Sequence, residues 1–231
     1  PRLVHAGDLA PGPELTPGAG VPRALVFSAD GARLFARDTH GTISVHEPLH
    51  AALVGTLATG DDMSFSLATT RDGRVLAAGA QDGGVLLWDA RSLAPLAHWP
   101  GEKSGVTALA FAPDGAHLAV ARANGQIELY VSPRGVLERT LDGHEKFAAC
   151  LAFSPDGKRL ASGAYDFTMR LWGELSDQAL LTLHGHDAPV TAVAFDASGE
   201  ILASASKDQS VRLWRTARSF EAPEPALATG K

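Results

Sequence analysis

The sequence predicts an all-β protein, a β-propeller of four-stranded antiparallel blades. Two landmarks carry that prediction. Asp30-Gly31, Asp72-Gly73, Asp114-Gly115, Asp156-Gly157 and Ser198-Gly199 recur at intervals of 42 residues. His46, Trp88, Tyr130, Trp172 and Trp214 recur at the same interval. Two independent series in step define one unit repeated five times, and a period in the low forties closed by an aromatic is that of a propeller blade. One four-stranded blade cannot bury both faces of its sheet, so neighbours must stack radially.

The fourth unit shows the plan. AACLAF at 148–153 reads as a first strand, and Ser154-Pro155-Asp156-Gly157 supplies turn chemistry, with proline presetting φ and Asp-Gly favouring a tight hairpin. RLASG at 159–163 is a short second strand and Tyr165-Asp166-Phe167 the next turn. TMRLW at 168–172 alternates as a half-buried third strand should, and ALLTL at 179–183 is the fourth. The other units repeat it: SFSLAT, VTALAF and VTAVAF as first strands; VLAAG, HLAVA and ILASA as second; GVLLW, QIELY and SVRLW as third. Small residues in the second strands, such as Ala77-Ala78-Gly79 and Ala161-Ser162-Gly163, suit sheets that crowd toward a central axis. No helical period runs for a useful length.

Bulk properties narrow the function classes. Hydrophobic residues make up 45% of the 231, enough for a core, and charged residues 20%, too few for a disordered chain. The formal charge of −6 is spread along the sequence without a basic block, which argues against nucleic acid as a partner. No apolar run approaches the ~20 residues of a membrane helix, so no membrane insertion is expected. The lone Cys150 reads as a small buried hydrophobe that has no partner for an internal disulfide. The sequence begins at Pro1 without a signal-like stretch. A cytoplasmic location is expected, with a periplasmic or exported form, its leader removed, as the alternative.

At these residues the sequence resembles the WD40 repeat family of β-propellers, over roughly residues 18–215. Gly143-His144 and Gly185-His186 are similar to the family's Gly-His dipeptide, and Phe153–Gly157 and Leu160–Gly163 to its turn and second strand. Trp88-Asp89 is the one literal Trp-Asp pair; Glu47, Val131, Gly173 and Arg215 follow the other aromatics. The resemblance implies a buried hydrogen-bond tetrad of His144, Ser162, Asp166 and Trp172 in the fourth blade. It implies a second, of His186, Ser204, Asp208 and Trp214, in the fifth. Buried polar groups of these types need partners, and a connected network locks turns onto strands. The second unit keeps Asp82 and Trp88 but has Gly60 and Ala78 at the other places. The third has Glu102, Ala119-Val120, Asn124 and Tyr130; the first has Gly18, Ala36, His40 and His46. The ring should therefore be tightest at its C-terminal blades.

Ser162, His144 and Asp166 are also the residue types of a hydrolase triad. The set recurs 42 residues later, and no nucleophile elbow is present, so the structural reading is preferred. His184 and His186 flank a glycine, but with His186 in a tetrad His184 is left alone. No haem-attachment or phosphate-loop motif occurs, and no cofactor or metal is expected.

Closure is expected from the N-terminus. The tail Glu221–Pro225 contains two prolines, which argues against a fourth strand there. Counting back by the period brings Glu14-Leu15-Thr16 to within a residue of Leu181-Thr182-Leu183, so a strand at 13–17 would complete the last blade and cover its edge. This gives a propeller domain over 1–216, a Pro/Ala-rich tail or linker at 217–231, and a monomeric five-bladed ring. The rival is a ring completed by other sequence or another chain.

The resemblance places partner binding on the face of the Gly-His loops and the turns between second and third strands. The fourth blade stands out there, with Phe147, Tyr165 and Phe167 in its loops and turns, Glu145 beside them and Lys207 from the fifth. Phe167 stands where units one to three have Gly41, Gly83 and Gly125, and aromatics are favoured hot-spot residues. The competing reading is that these rings pack on each other. The expected function is a non-catalytic scaffold binding a protein or peptide. The alternative is a small-ligand or enzymatic propeller with a site at its central channel.

Overall fold

In the computed structural model, residues 20–50, 52–60, 66–101, 104–173 and 177–215 are described, and they contain strands and turns without helix. Blade 1 comprises β1 (Pro22–Phe27), β2 (Leu34–Asp38), β3 (Thr42–Glu47) and β4 (Ala52–Ala58). Blade 2 is β5 (Leu67–Thr69), β6 (Val75–Gly79), β7 (Val85–Asp89) and β8 (Pro95–Trp99). Blade 3 is β9 (Val106–Phe111), β10 (His117–Arg122), β11 (Ile127–Val131) and β12 (Val136–Leu141). Blade 4 is β13 (Ala148–Phe153), β14 (Arg159–Ala164), β15 (Met169–Gly173) and β16 (Ala179–Leu183), and blade 5 has β17 (Val190–Phe195), β18 (Ile201–Ser206) and β19 (Val211–Arg215). Every sheet is an antiparallel meander in chain order.

Turn chemistry sets the strand limits. Gly31, Gly73, Gly115, Gly157 and Gly199 all take φ between 67° and 76° in the turns from first to second strand. At the other end, the third strands of blades 2 to 5 begin one residue later than the alternation suggests. The amide that would start the ladder is taken by a turn side chain: Gly84 N donates to Asp82 at 2.8 Å, Thr168 N to Asp166 at 2.9 Å and Ser210 N to Asp208 at 2.8 Å. The pairing of third with fourth strand shifts immediately before His46, Trp88, Tyr130 and Trp172. At each shift two residues of the fourth strand face one of the third, a β-bulge that bends the fourth strand.

The core is a series of four apolar interfaces between consecutive blades. Phe35, Ile43 and Val45 of blade 1 meet Leu76 and Trp88 of blade 2, and Val85 and Leu87 of blade 2 meet Leu109 and Leu118 of blade 3. Ile127 and Leu141 of blade 3 meet Leu160 and Trp172, and Met169 and Leu171 of blade 4 meet Val190, Leu202 and Trp214 of blade 5. The small residues of the second strands are required by this approach. A Cβ on Gly163 would lie 2.5 Å from Val190 Cγ1, and one on Gly79 would collide with Val106.

No strand of blade 5 packs substantially against blade 1 among the described residues. The expected closing strand at 13–17 and the tail at 217–231 lie outside them. Cys150 keeps some exposure, but its sulfur sits under Val190 beside Gly163, and burial pushes the thiol up to about 12, so it stays protonated and unreactive at neutral pH.

Candidate functional site

One end of the blades carries the loops entering each first strand together with the turns from second to third strand, because antiparallel order brings both to the same side. In blade 4 these two segments are held by a buried chain of hydrogen bonds. Trp172 Nε1 donates to Ser162 Oγ at 2.9 Å. The Ser162 hydroxyl lies 2.7 Å from His144 Nε2, and His144 Nδ1 lies 2.8 Å from Asp166 Oδ2. The directions follow from chemistry: indole N–H can only donate and carboxylate only accept, so Ser162 donates to Nε2 and Nδ1–H donates to Asp166. Asp166 also accepts from Glu145 N at 3.1 Å and from Thr168 N and Oγ1 at 2.9 and 2.7 Å.

Blade 5 repeats the set. Trp214 Nε1 donates to Ser204 Oγ at 2.9 Å, Ser204 Oγ lies 2.8 Å from His186 Nε2, and His186 Nδ1 lies 2.7 Å from Asp208 Oδ2. Burial disfavours the Asp166 carboxylate, but donors from His144, Thr168 and the Thr168 backbone outweigh it and hold its pKa well below the usual carboxylate range. Asp208 is held low chiefly by Ser210, with His186 and backbone donors adding to that against a smaller burial effect. The serine hydroxyls are buried, and each is engaged by an indole and an imidazole, so neither points at solvent as a nucleophile would.

Above this chain lie the aromatic residues. Phe147 and Tyr165 are half-buried and stacked, with ring centroids 3.8 Å apart. Lys207 reaches across from blade 5, its Nζ 2.6 Å from the Tyr165 hydroxyl and 4.6 Å from the ring centroid. Lys146 Nζ lies 5.5 Å from the Phe167 centroid. Phe167 is exposed and takes φ of 72°, in the left-handed region also held by Gly41, Gly83 and Gly125 at 72°, 92° and 92°. Gln209, its counterpart in blade 5, has φ of 69°. Glu145 is exposed at the edge of this patch. The backbone beneath is fixed identically in neighbouring blades: Tyr165 N donates to Phe147 O at 3.1 Å and Lys207 N to Pro189 O at 2.9 Å.

The WD domain, G-beta repeat family matches residues 53–89, 93–130, 135–173 and 177–215, more than half of the chain. The chain belongs to the WD40 repeat family. No curated protein matches the sequence. Each matched WD40 repeat runs from the fourth strand of one blade to the third strand of the next, so consecutive blades are laced together by the repeat itself. WD40 repeats are generally protein-interaction scaffolds.

The blades without a tetrad use other means. In blade 1, His46 Nε2 lies 2.9 Å from Ser44 Oγ, and Asp38 accepts from the amides of Gly20, His40 and Thr42 at 3.1, 2.9 and 2.9 Å. Blade 3 contains a cluster that the sequence reading missed. Arg122 pairs with Glu128 through Nε at 2.7 Å and Nη2 at 2.6 Å, and Tyr130 OH donates to the same carboxylate oxygen at 2.8 Å. Arg122 Nη1 also donates to the Gly83 carbonyl of blade 2. The signal was available: Arg122 falls, by the 42-residue period, where the other units have Asp38, Ala80, Ala164 and Ser206. A charged residue in an otherwise apolar strand predicts a buried partner. Lys146 was also missed, being one of several exposed loop cations.

At the opposite end, between blades 3 and 4, lies a cleft of 290 Å³ lined by Asp114, His117, Glu138, Arg139, Lys158 and Trp172 among others. Among the described residues no group of three or more His, Cys, Asp or Glu side chains could hold a metal ion, and no helix is long and apolar enough to cross a membrane.

Proposed function

We propose that this propeller is a non-catalytic interaction scaffold, and that the patch on blades 4 and 5 is where it holds a protein or peptide. The observation that carries the reading is the composite of Phe147, Tyr165 and Lys207: three side chains from two WD40 repeats, locked by stacking and a hydrogen bond on a fixed backbone. A preorganised aromatic surface loses little entropy on binding, and aromatic residues dominate interface energetics. Phe167 adds an exposed ring held in a conformation that favours glycine. Two ammonium groups lie over rings at this surface, so the matching segment offers an apolar side chain to Phe167 and carboxylates to Lys146 and Lys207. Glu145 stands at the rim, where charge sets orientation rather than affinity.

The test is capture of partners from a native lysate by the full chain and by a Phe147→Ala, Tyr165→Ala double variant, with a Lys158→Ala control at the opposite end. The reading requires that the double variant lose the proteins that wild type and control retain, while its circular dichroism stays that of the folded chain. Retention of those proteins by the double variant would overturn it.

A further inference from the structure

A second cavity, of 410 Å³, lies at the same end as the cleft between blades 3 and 4, where the first strands finish. Four of the five first strands end in phenylalanine: Phe27, Phe111, Phe153 and Phe195, paired in one register with Leu34, Leu118, Leu160 and Leu202. The first strand of blade 2 ends instead in Thr69, in the same register against Leu76. Thr69, Phe111, Phe153 and Phe195 line the cavity together. A threonine thus stands where the repeat otherwise puts a ring, and three half-buried rings line the space beside it. The walls are set by the fold. A Cβ on Gly157 would lie 3.5 Å from Pro113 Cδ and one on Gly199 3.2 Å from Pro155 Cδ, so each of these turns rests on a proline of the preceding blade, and both prolines line the cavity.

Two charged side chains, Arg71 and Asp196, line the cavity, and both depart from the repeat. Arg71 stands where the other units have Ala29, Pro113, Pro155 and Ala197, and Asp196 where they have Ser28, Thr70, Ala112 and Ser154. Asp196 is satisfied inside its own turn, accepting from Ser198 Oγ at 2.5 Å and Ile201 N at 2.9 Å. The Arg71 guanidinium is exposed and makes no hydrogen bond or ion pair with the described residues. Arg159, 5.6 Å from the Phe195 centroid and donating to Gly199 O at 2.8 Å, adds a second positive charge near the same rings. What this cavity lacks, measured against its own repeat and its own charges, is one ring and one anion.

We propose that the cavity binds a small aromatic carboxylic acid, whose ring takes the place left by Thr69 and whose carboxylate pairs with Arg71. The volume lies toward the lower end of what small-molecule sites enclose, about 300–1,000 Å³. Guanidinium and carboxylate form charge-assisted hydrogen bonds in matching planar geometry, and aromatic pairs gain beyond their buried area. Walls already in place before binding spare the complex the cost of ordering them. The site is at the other end of the blades from Phe147, Tyr165 and Lys207, so neither depends on the other.

Titration of the isotope-labelled full chain with hydrocinnamate, followed by NMR, tests this. The amides of the turns at 69–72, 112–115, 154–157 and 195–198 should shift saturably, and the neutral amide of the same acid should bind at least about tenfold more weakly. Thr69→Phe supplies the residue that the other blades carry, so it should keep the fold and abolish binding by filling the space. Arg71→Ala takes the alanine of blades 1 and 5 and should weaken binding about tenfold. Arg134→Ala removes an exposed cation outside the cavity and should leave binding unchanged. If Thr69→Phe unfolds the chain, Arg71→Ala and the neutral amide carry the test. No saturable shift at about 10 mM acid, where a millimolar site would be nearly filled, overturns the proposal. Binding that survives Thr69→Phe in a folded chain, or an amide that binds as well as the acid, also overturns it. The last arm is an acetylated tripeptide ending in phenylalanine: if it binds more than about tenfold tighter than the acid, the site reads a peptide end and the small-acid proposal falls.

Discussion

Blades 3 and 4 share a backbone plan and differ in what they bury beneath the closing aromatic. In blade 4, His144, Ser162, Asp166 and Trp172 run as one directed hydrogen-bond chain that ties a loop and a turn to their own sheet. In blade 3, Tyr130 replaces the tryptophan, and Arg122 and Glu128 form an ion pair that reaches through Arg122 to the Gly83 carbonyl of blade 2. One network is internal to its blade, and the other stitches two blades together. Blade 1 also uses the second device: Arg37 Nη1 donates to the Gly79 carbonyl of blade 2 at 2.5 Å and its Nη2 to Thr59 Oγ1 at 2.9 Å. The repeat thus fixes where polar groups are needed, while the residues that satisfy them are exchangeable between units.

The largest effect is expected from breaking the stitch. The Arg122 and Glu128 side chains are 5% and 12% exposed, so Arg122→Ala leaves a buried carboxylate without its cation. Breaking a buried pair from one side costs about 3–5 kcal/mol. Replacing both, as Arg122→Met with Glu128→Leu, should cost much less, because neither charge is then stranded. Chemical denaturation of the single and double variants measures the difference. A double variant as unstable as Arg122→Ala would show that the arginine acts through its bond to blade 2 and not through the pair.

The tetrad should be the next most sensitive element. Asp166→Ala removes the acceptor of His144, Glu145 N and Thr168 together, and stranding buried donors costs about 1–3 kcal/mol. Asp82→Ala is the comparison at the equivalent place of another repeat: Asp82 accepts from Gly84 N, but the position of the imidazole is Gly60, so its loss should be clearly smaller. Equal losses would mean that the aspartate matters for the turn alone. The pH dependence has a definite sign. The folded pKa of Asp166 is depressed, so its contribution is complete above the unfolded carboxylate value near 4 and is lost as pH falls from there toward the folded value. Acid titration of stability should therefore be shallower in Asp166→Ala than in wild type over that range.

Legibility in the sequence followed the same division. The period located thirteen of the strands, most of them to within a residue, because hydrophobic alternation and Asp-Gly turns act locally. The one systematic error was in blades 2 to 5, where third strands start one residue late; in blade 4 the amide concerned, Thr168 N, is bonded to the Asp166 side chain. The residues His144, Ser162, Asp166 and Trp172 could be named because they match a known pattern. Arg122 and Glu128 match none, and their meeting depends on packing between blades. Stacking of Phe147 on Tyr165 was one of two open readings, and the structure shows it together with the cross-blade lysine. Lys207 and Tyr165 are 42 residues apart, so the repeat itself placed them on adjacent blades.

The smallest effect, and the one that separates structure from function most cleanly, is expected at Phe167. A non-glycine residue in the left-handed region carries a penalty of about 1 kcal/mol, which Phe167→Gly would relieve. The glycine then loses about 0.5–1 kcal/mol through the unfolded state, and the exposed contact with Lys146, worth a similar amount, disappears. The terms nearly cancel, so thermal unfolding of Phe167→Gly should lie within about 1 kcal/mol of wild type. Blade 3 provides the contrast. A Cβ on Gly125 would come 2.5 Å from the His144 carbonyl oxygen, so the equivalent turn there admits no side chain, and Gly125→Phe should be severely destabilising. Room for a ring exists in blade 4, where the turn tolerates it at no net gain to the fold. If partner capture falls in Phe167→Gly while stability holds, the ring serves the surface; a loss of stability well beyond that range would instead make it part of the blade.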